Sequence, residues 1–456
     1  MSENVFLFFD DKNILYKDSL KRCYALPRYA GSYNSACEKS ANPLPCVVFV
    51  PEKKQYYMYY NSYVNGKISP LLATSEDGVN FVSHPACRDR AIMEHIGELA
   101  CVYYDSTADE KSRFKALCVC GDGKSERIIK DPVFESADGI HWEKTSRQWH
   151  NHAAEPPAFC FYNPIKQKHT ILCRPDAGVR RVCRVFTEDF QSFSDAELVM
   201  TPDSCDPPLA EHYGMNVFPY GGIFVGFLWL YEVPNIRSRK YWGGTLNAQL
   251  CYSYNGTYFN RSIRESFFEH KEQENSLGMI QPCSMYETPD GDLTVAAGVS
   301  NNEHGNFKQG TSIAFYKLKK DRFISLRADD RGELVTIPML YGGGDILVNA
   351  EAEEISCALY TDDSAEKPMN LICHELIALK DFEHASFKPI DKGNGFFSLS
   401  WDKAELKKLE KKIIYLEIRL YRGDVFSIRG DLTPMMICDL ARYHLYGTVP
   451  DITGLG

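Results

Sequence analysis

A short stretch that recurs along the chain constrains the fold more than any other feature. It consists of a strand end, a Ser-x-Asp-Gly or Ser-x-Asn-Gly turn, and a strand start that closes on an aromatic residue. The copies are Leu71–Phe81, Glu135–Trp142 and Cys251–Phe259, with a degenerate copy at Phe186–Phe193. An Asp-Gly pair between apolar runs is typical of a β-hairpin with a type I′ turn, which needs positive φ at both central residues.

The spacing of the copies indicates a repeat. Ser75, Ser136, Thr187 and Ser253 mark equivalent positions, and they are 61, 51 and 66 residues apart. Phe190 stands in the degenerate copy where the others have glycine. Periods of this size are typical of propellers and solenoids.

Two strand-like runs precede each hairpin. In the first repeat they are Cys46–Val50 and Gln55–Tyr60, and in the second Leu99–Tyr104 and Phe114–Val119. Similar pairs follow in three more repeats, and four strands in each of five repeats predict an all-β, five-bladed β-propeller over residues 1–325. After it the motif is absent, and separate strand-like runs predict a C-terminal β-sandwich domain over residues 326–456.

The ends of the propeller are less regular than its repeats. Asn4–Tyr24 has the pattern of one or two strands, and we expect these strands to close the ring. Arg28–Asn42 is polar and is interpreted as a loop.

Composition excludes several classes of partner. The chain is 44% hydrophobic and 13% aromatic, so a large core is expected. Its net charge of −10 argues against a nucleic acid or an anionic membrane as partner. We find no signal peptide and no transmembrane segment. Most of the 16 cysteines lie in apolar strand-like runs, which favours reduced thiols and a cytoplasmic protein. The oligomeric state is not predicted.

Several stretches resemble the five-bladed glycosidases of families 32 and 43, particularly a family 32-like branch. They are Glu211–Gly222, Gly226–Tyr231, Gly278–Pro282 and Arg322–Ala328. The resemblance implies a propeller with a C-terminal sandwich and activity on glycosides. The family 32 signatures Asn-Asp-Pro-Asn-Gly, Arg-Asp-Pro and Glu-Cys are absent, so the resemblance does not extend to activity on fructans.

Acidic residues stand before the innermost strand of four repeats. A propeller brings the starts of these strands together around its axis, and glycoside hydrolysis needs one protonated and one ionised carboxyl group. The candidates are Glu38, Glu98, Glu155 and Glu211, with Gln281 in the fifth repeat. The resemblance implies Glu38 as nucleophile or base, Glu155 as transition-state stabiliser and Glu211 as acid/base, although the family usually has Asp at the first two positions.

A second group of residues is predicted to bind substrate, and each member has a structural alternative. Glu98 suits either the pocket or a salt bridge between blades. Arg174 either binds a substrate carboxylate or holds Glu155 ionised, and its structural alternative is a salt bridge between blades. Histidines and aromatic residues in strands are more often structural than functional. The substrate-binding candidates are Glu98, Arg174, Asp206, His212, Tyr213, Gln281 and His95. No spacing of His, Cys and Asp has metal-ligand character, and no cofactor motif is present.

The sequence therefore predicts a cytoplasmic hydrolase whose substrate is a small oligosaccharide, with carboxyl groups at the propeller axis. A glycoside phosphorylase is an alternative, for which Arg174, Arg180 and Arg181 are candidate phosphate ligands. A non-catalytic sugar-binding propeller is a third hypothesis, because a fold does not fix a function.

Overall fold

A computed structural model describes residues 4–33, 42–87, 90–93, 98–119, 131–150, 154–175, 179–232, 243–304, 310–369 and 374–449. The chain divides into two compact units, residues 26–318 and residues 1–25 together with 319–456. The buried hydrophobic clusters follow this division, since each draws its residues from one unit. Within the described ranges, no helix is long and apolar enough to cross a bilayer.

The amino-terminal strands are β1 (Asn4–Leu7), β2 (Ile14–Asp18), β3 (Lys21–Tyr24) and β4 (Arg28–Tyr33). Only β4 belongs to the unit of residues 26–318.

Three four-stranded antiparallel sheets form blades one to three of that unit. Blade one contains β5 (Cys46–Val50), β6 (Gln55–Val64), β7 (Lys67–Ser75) and β8 (Val82–Ser83). Blade two contains β9 (Glu98–Tyr104), β10 (Phe114–Val119), β11 (Pro132–Ser136) and β12 (Glu143–Gln148). Blade three contains β13 (Ala154–Asn163), β14 (Lys168–Pro175), β15 (Val182–Thr187) and β16 (Glu197–Met200).

Blades four and five share one seven-stranded sheet. Blade four contains β17 (Glu211–Tyr220), β18 (Ile223–Glu232) and β19 (Thr245–Ser253), and an isolated bridge between Tyr252 and Asn260 lies beyond β19. Blade five contains β20 (Met279–Glu287), β21 (Leu293–Ser300), β22 (Ser312–Leu318) and then β4, which pairs with β22.

The innermost strands form a cycle, which confirms the five-bladed propeller. Each of β5, β9, β13 and β17 contacts the innermost strand of the next blade, and β20 contacts β5. Ser284 of β20 fixes the last of these contacts, since its Oγ accepts from the Val47 N–H at 2.8 Å and donates to the Pro45 carbonyl at 3.2 Å. The strand that completes blade five is β4, so the expectation that Asn4–Tyr24 closes the ring was wrong.

The repeated motif forms the expected tight turn, but the type I′ geometry was wrong. Gly139 has φ +75°, whereas Asp138 is not among the residues with positive φ. Instead, Ser136 Oγ accepts from the Gly139 N–H at 2.9 Å, and Asp138 Oδ1 accepts from the next two N–H groups at 2.8 Å. Side chains therefore satisfy the turn, as in Asx turns. In the degenerate copy Phe190 takes the glycine position with φ +58°.

The later strands of the second unit are β23 (Ile324–Thr336), β24 (Met339–Asp362), β25 (Leu376–Ala378), β26 (Ile390–Gly393), β27 (Phe396–Ser398) and β28 (Ile413–Pro434). Of these, β24 and β28, with 24 and 22 residues, are much longer than the strands of the blades. The sheet order is β2-β23-β28-β24-β27-β26, and β1, β3 and β25 pair with β28, β23 and β24. One core cluster takes residues from both halves of β28, such as Leu416 and Ile428, which fits the predicted β-sandwich.

Helical structure is sparse in the described residues. One α-helix, α1 (Ile437–Tyr446), ends at Gly447, which has φ +69°. Short 3-10 turns occur at Pro85–Cys87, Glu110–Ser112, Glu272–Glu274, His384–Ser386 and Leu406–Leu409.

The structure divides the chain differently from the predicted boundary at residue 325. The first 25 residues lie with the sandwich strands, because β1 pairs with β28 and β2 and β3 pair with β23.

Candidate functional site

Glutamates occupy the starts of three successive inner strands of the propeller. Glu98 is the first residue of β9, Glu155 the second of β13 and Glu211 the first of β17. Two arginines of blade three, Arg174 and Arg180, pair with Glu155 and Glu211, and Glu98 lies within electrostatic range of Arg174. We call these five residues the carboxylate cluster. Rigid strands therefore position every carboxyl group in it.

Arg174 pairs with Glu155 across the β13–β14 ladder. Its Nη2 donates to Glu155 Oε2 at 2.6 Å and to the Pro156 carbonyl at 3.1 Å. The Arg174 side chain is 4% exposed and that of Glu155 is 37% exposed. The buried guanidinium thus holds a carboxylate that water and ligands can reach.

Glu98 lies within electrostatic range of this pair. Burial raises the pKa of Glu98 to about 7; the positive charge of Arg174 opposes the increase and the negative charge of Glu155 adds to it. The backbone beside it is fixed by Asn61 of β6, whose Nδ2 donates to the Leu99 carbonyl at 2.8 Å and whose Oδ1 accepts from the Leu99 N–H at 3.0 Å. A carboxyl group with this pKa is partly protonated at neutral pH.

Glu211 has its own arginine. Arg180 Nη1 donates to Glu211 Oε2 at 2.5 Å, and the two side chains are 16% and 13% exposed. The Arg180 guanidinium also lies over the rings of Tyr213 and Tyr231, 5.3 and 5.2 Å from their centroids. These cation–π contacts limit the positions that the arginine can take beside the carboxylate.

Tyr213 joins the two halves of the carboxylate cluster. The Arg174 guanidinium lies 4.2 Å from the centroid of its ring, and Arg180 contacts the same ring. The hydroxyl of Tyr213 is 2.9 Å from His304 Nε2, in the segment that follows β21. Contacts therefore run from Glu155 through Arg174, Tyr213 and Arg180 to Glu211.

Three buried donor atoms of this region have no hydrogen-bond partner in the described part of the chain. They are Arg174 Nε and Nη1 and Gln281 Nε2, and Gln281 is only 2% exposed on β20. Buried polar groups are normally satisfied, so water or a ligand is expected beside them. A role for Gln281 in substrate binding stays a prediction.

Asp206 and His212 belong to a different set of contacts. Arg261 Nη1 donates to Asp206 Oδ1, and His212 Nε2 lies 3.6 Å from Asp206 Oδ2. Burial, together with the positive charge of Arg261, lowers the pKa of His212 to about 4. His212 is fully buried and follows Glu211 in β17, so the structure does not bring it to the carboxylate cluster.

Two predicted site residues, Glu38 and His95, lie outside the described residues. Their predicted roles stay predictions. In the described ranges, no group of three or more His, Cys, Asp or Glu side chains is arranged to hold a metal ion.

Comparison with known proteins gives structural neighbours only. No protein-family model and no curated sequence matches this chain. One similar structure is a thermostable family-43 glycoside hydrolase, with 11% identity over 65% of this chain and 96% of the other, at a TM-score of 0.46. A β-1,2-mannobiose phosphorylase from Listeria innocua has 11% identity over 70% and 97% of the two chains, also at 0.46.

A third neighbour carries out a different reaction. It is an N-acetylgalactosamine deacetylase from F. plautii, with 14% identity over 66% of this chain and 96% of the other, at a TM-score of 0.43.

Sequence reasoning gave too little weight to three contributors to the site. The sequence suggests Arg180 only as a phosphate ligand, Tyr231 falls under the general expectation that aromatic residues in strands are structural, and His304 is not among the candidates. Tyr231 lies directly opposite Glu211 in the β17–β18 ladder, so its place near the end of β18 was a usable signal. For His304 the sequence offers none, because its contact with Tyr213 joins residues 91 positions apart.

Proposed function

We propose that the propeller unit is a glycoside hydrolase that acts on short oligosaccharides through the carboxylate cluster. The observation that carries the proposal is that carboxyl groups from three successive blades come together at the starts of their inner strands. Contacts join Glu155 to Glu211, and Glu98 lies within electrostatic range of Glu155 and Arg174. Two of them are paired with arginine, and the third has a pKa of about 7. This is the combination of ionised and protonated carboxyl groups that glycoside hydrolysis requires.

Glu155 and Glu211 supply the ionised carboxylates in this proposal. Each accepts a hydrogen bond from a guanidinium that is itself stacked on Tyr213. Such carboxylates suit attack on the anomeric carbon, activation of water or stabilisation of an oxocarbenium-like transition state. The resemblance adds Glu38 as a further nucleophile or base. A cytoplasmic setting remains part of the proposal.

The ion pairs of the two arginines favour hydrolysis over phosphorolysis. A phosphorylase needs cationic groups available for phosphate. Arg174 and Arg180, two of the candidate phosphate ligands, are each paired with a glutamate, whose negative charge opposes the binding of phosphate beside it. Water is therefore the better supported acceptor.

The test is turnover of aryl glycosides and short oligosaccharides by the full chain, with and without inorganic phosphate. We expect phosphate-independent hydrolysis that falls at least about 100-fold in kcat/KM in Glu155→Gln and Glu211→Gln. Glu143→Gln, on the exposed start of β12, is the matched control and should keep wild-type activity.

Two other outcomes would overturn the proposal. Release of a sugar phosphate only when phosphate is present would assign the site to a phosphorylase. Saccharide binding without turnover would indicate a binding module.

A further inference from the structure

We propose that Glu98 is the proton donor of the carboxylate cluster. This assignment rests on the proposed hydrolase function and differs from the resemblance, which gives the acid/base role to Glu211. It is drawn from the position of Glu98, from the partners of the other two glutamates and from the rigidity of its surroundings.

The partners of the three carboxyl groups separate their roles. Oε2 of Glu155 and Oε2 of Glu211 each accept from an arginine, at 2.6 and 2.5 Å. Glu98 forms no ion pair with any residue in the described ranges. A proton donor must carry its proton to the substrate, and a carboxyl group that no guanidinium binds can present it.

The surroundings of Glu98 favour the protonated form. The residue is half-buried at the start of an inner strand, and burial disfavours a second carboxylate beside Glu155. The pKa of about 7 that results is in the range at which a general acid works near neutral pH. Arg174 lowers this pKa, so it is a positioning residue that keeps Glu98 able to lose its proton.

Hydrogen bonds from the neighbouring blade and from β10 fix the position of the strand that carries Glu98. Asn61 of blade one makes two hydrogen bonds to the Leu99 backbone, and Glu98 pairs with Val119 of β10. Asn61 is 2% exposed, so these bonds do not compete with solvent. A donor that must reach a glycosidic oxygen within hydrogen-bond distance needs such support.

The chemical step balances with water as the only co-substrate. Glu98 gives its proton to the glycosidic oxygen as the bond from that oxygen to the anomeric carbon breaks, and the bonding electron pair leaves with the oxygen. The oxygen of water becomes bonded to the anomeric carbon. Water loses one proton in return, which restores the protonated Glu98 before the next turnover.

The experiment compares leaving groups in the wild type, Glu98→Gln and the control Glu143→Gln. The 2,4-dinitrophenolate group of a dinitrophenyl glycoside leaves without being protonated. The sugar that leaves from an oligosaccharide must have its glycosidic oxygen protonated. We expect Glu98→Gln to lose about 10²–10⁴-fold in kcat/KM on the oligosaccharide and less than about 10-fold on the dinitrophenyl substrate. The alkaline limb of the wild-type pH profile, near pH 7, should disappear in Glu98→Gln.

Each failure has a distinct meaning. If Glu98→Gln keeps the alkaline limb, or loses equal activity on both substrates while remaining folded by circular dichroism, Glu98 is not the donor and the hydrolase proposal survives. If the wild type hydrolyses no glycoside of either kind, both proposals are overturned.

Discussion

Arg174 and Glu155 act in opposite directions on the protonation of Glu98. The arginine lowers the pKa of that carboxyl group by favouring its charged form, and the glutamate raises it by repulsion. Arg174→Met should therefore raise the pKa of Glu98 above about 7, and Glu155→Gln should lower it. Carboxyl carbon-13 NMR, with the Glu98 signal assigned from Glu98→Gln, measures both changes without any substrate.

Glu143→Gln is the control for these two variants. Glu143→Gln should leave the Glu98 titration unchanged, because Glu143 is exposed on the outermost strand of blade two. Shifts of the same sign in Arg174→Met and Glu155→Gln would mean that a change of structure, and not charge, sets the pKa.

At Asp206, a buried carboxylate depends on one buried arginine. The side chains of Asp206 and Arg261 are 1% and 3% exposed, whereas Arg264, which contacts the same carboxylate at 3.3 Å, is 35% exposed. Arg261→Met should destabilise the protein by about 3–5 kcal/mol, because it leaves a buried charge without its main partner. Arg264→Met should cost about 1 kcal/mol or less. Urea unfolding measures both, and equal losses would contradict this account.

Among the elements, the repeated turns were predictable in position and only partly in geometry. A serine, followed two residues later by aspartate or asparagine and then by glycine, marks the turns correctly at Ser75, Ser136 and Ser253. The backbone angles could not be predicted, because the serine and aspartate side chains take N–H groups that a type I′ hairpin would pair differently. Phe190 shows the same point, since Thr187 Oγ1 binds its N–H at 2.9 Å without any glycine.

The close packing of these turns gives a prediction. Gly139 and Gly66 have nearly the same φ, +75° and +76°, but a Cβ at Gly139 would overlap Tyr59 Oη and lie 2.9 Å from Phe114, whereas one at Gly66 meets nothing within 4 Å. Both alanine variants bear the positive-φ strain of at least about 1 kcal/mol. Gly139→Ala should cost about 1–3 kcal/mol more, through overpacking. Thermal unfolding of the two variants separates the contribution of backbone strain from that of overpacking. Equal losses of stability would exclude the packing effect.

The pairing of Glu155 with Arg174 shows where sequence reasoning about elements ends. Near the Asn163 turn, partners in the β13–β14 ladder have residue numbers that sum to 331, as for Cys160 and Ile171. Extended without a break, that register would place Glu155 opposite Asp176. An irregularity between Glu155 and Phe159 shifts the register by two residues and brings Arg174 there instead. The sequence predicted an acid at the strand entrance and offered Arg174 as one possible partner, but it could not predict the register irregularity that places the two residues opposite each other.

For the whole molecule, the sequence predicted the number of blades correctly and mistook the strand that closes the ring. Asn4–Tyr24 has apolar residues in strand-like spacing, but its strands pair with those of the second unit. Arg28–Tyr33, interpreted as a loop, is the closing strand β4. As the outermost strand of a blade it is largely exposed, so it lacks the apolar alternation by which strands are recognised.

That strand gives the last prediction, which concerns the integrity of the ring. Residues 26–318 contain their own buried clusters, so this fragment should unfold in a single cooperative transition. A fragment of residues 34–318 lacks β4 and exposes the edge of β22 from Ile313 to Lys317. It should unfold at a clearly lower urea concentration or associate through the open edge.

A fragment of residues 28–318, which keeps β4, is the matched control and should behave like 26–318. A peptide of residues 26–33 added to 34–318 should restore stability, because it can supply the missing strand in trans. If the fragment 34–318 were as stable as 26–318, β4 would not contribute to the stability of the ring, and contacts between the inner strands would be sufficient to hold it together.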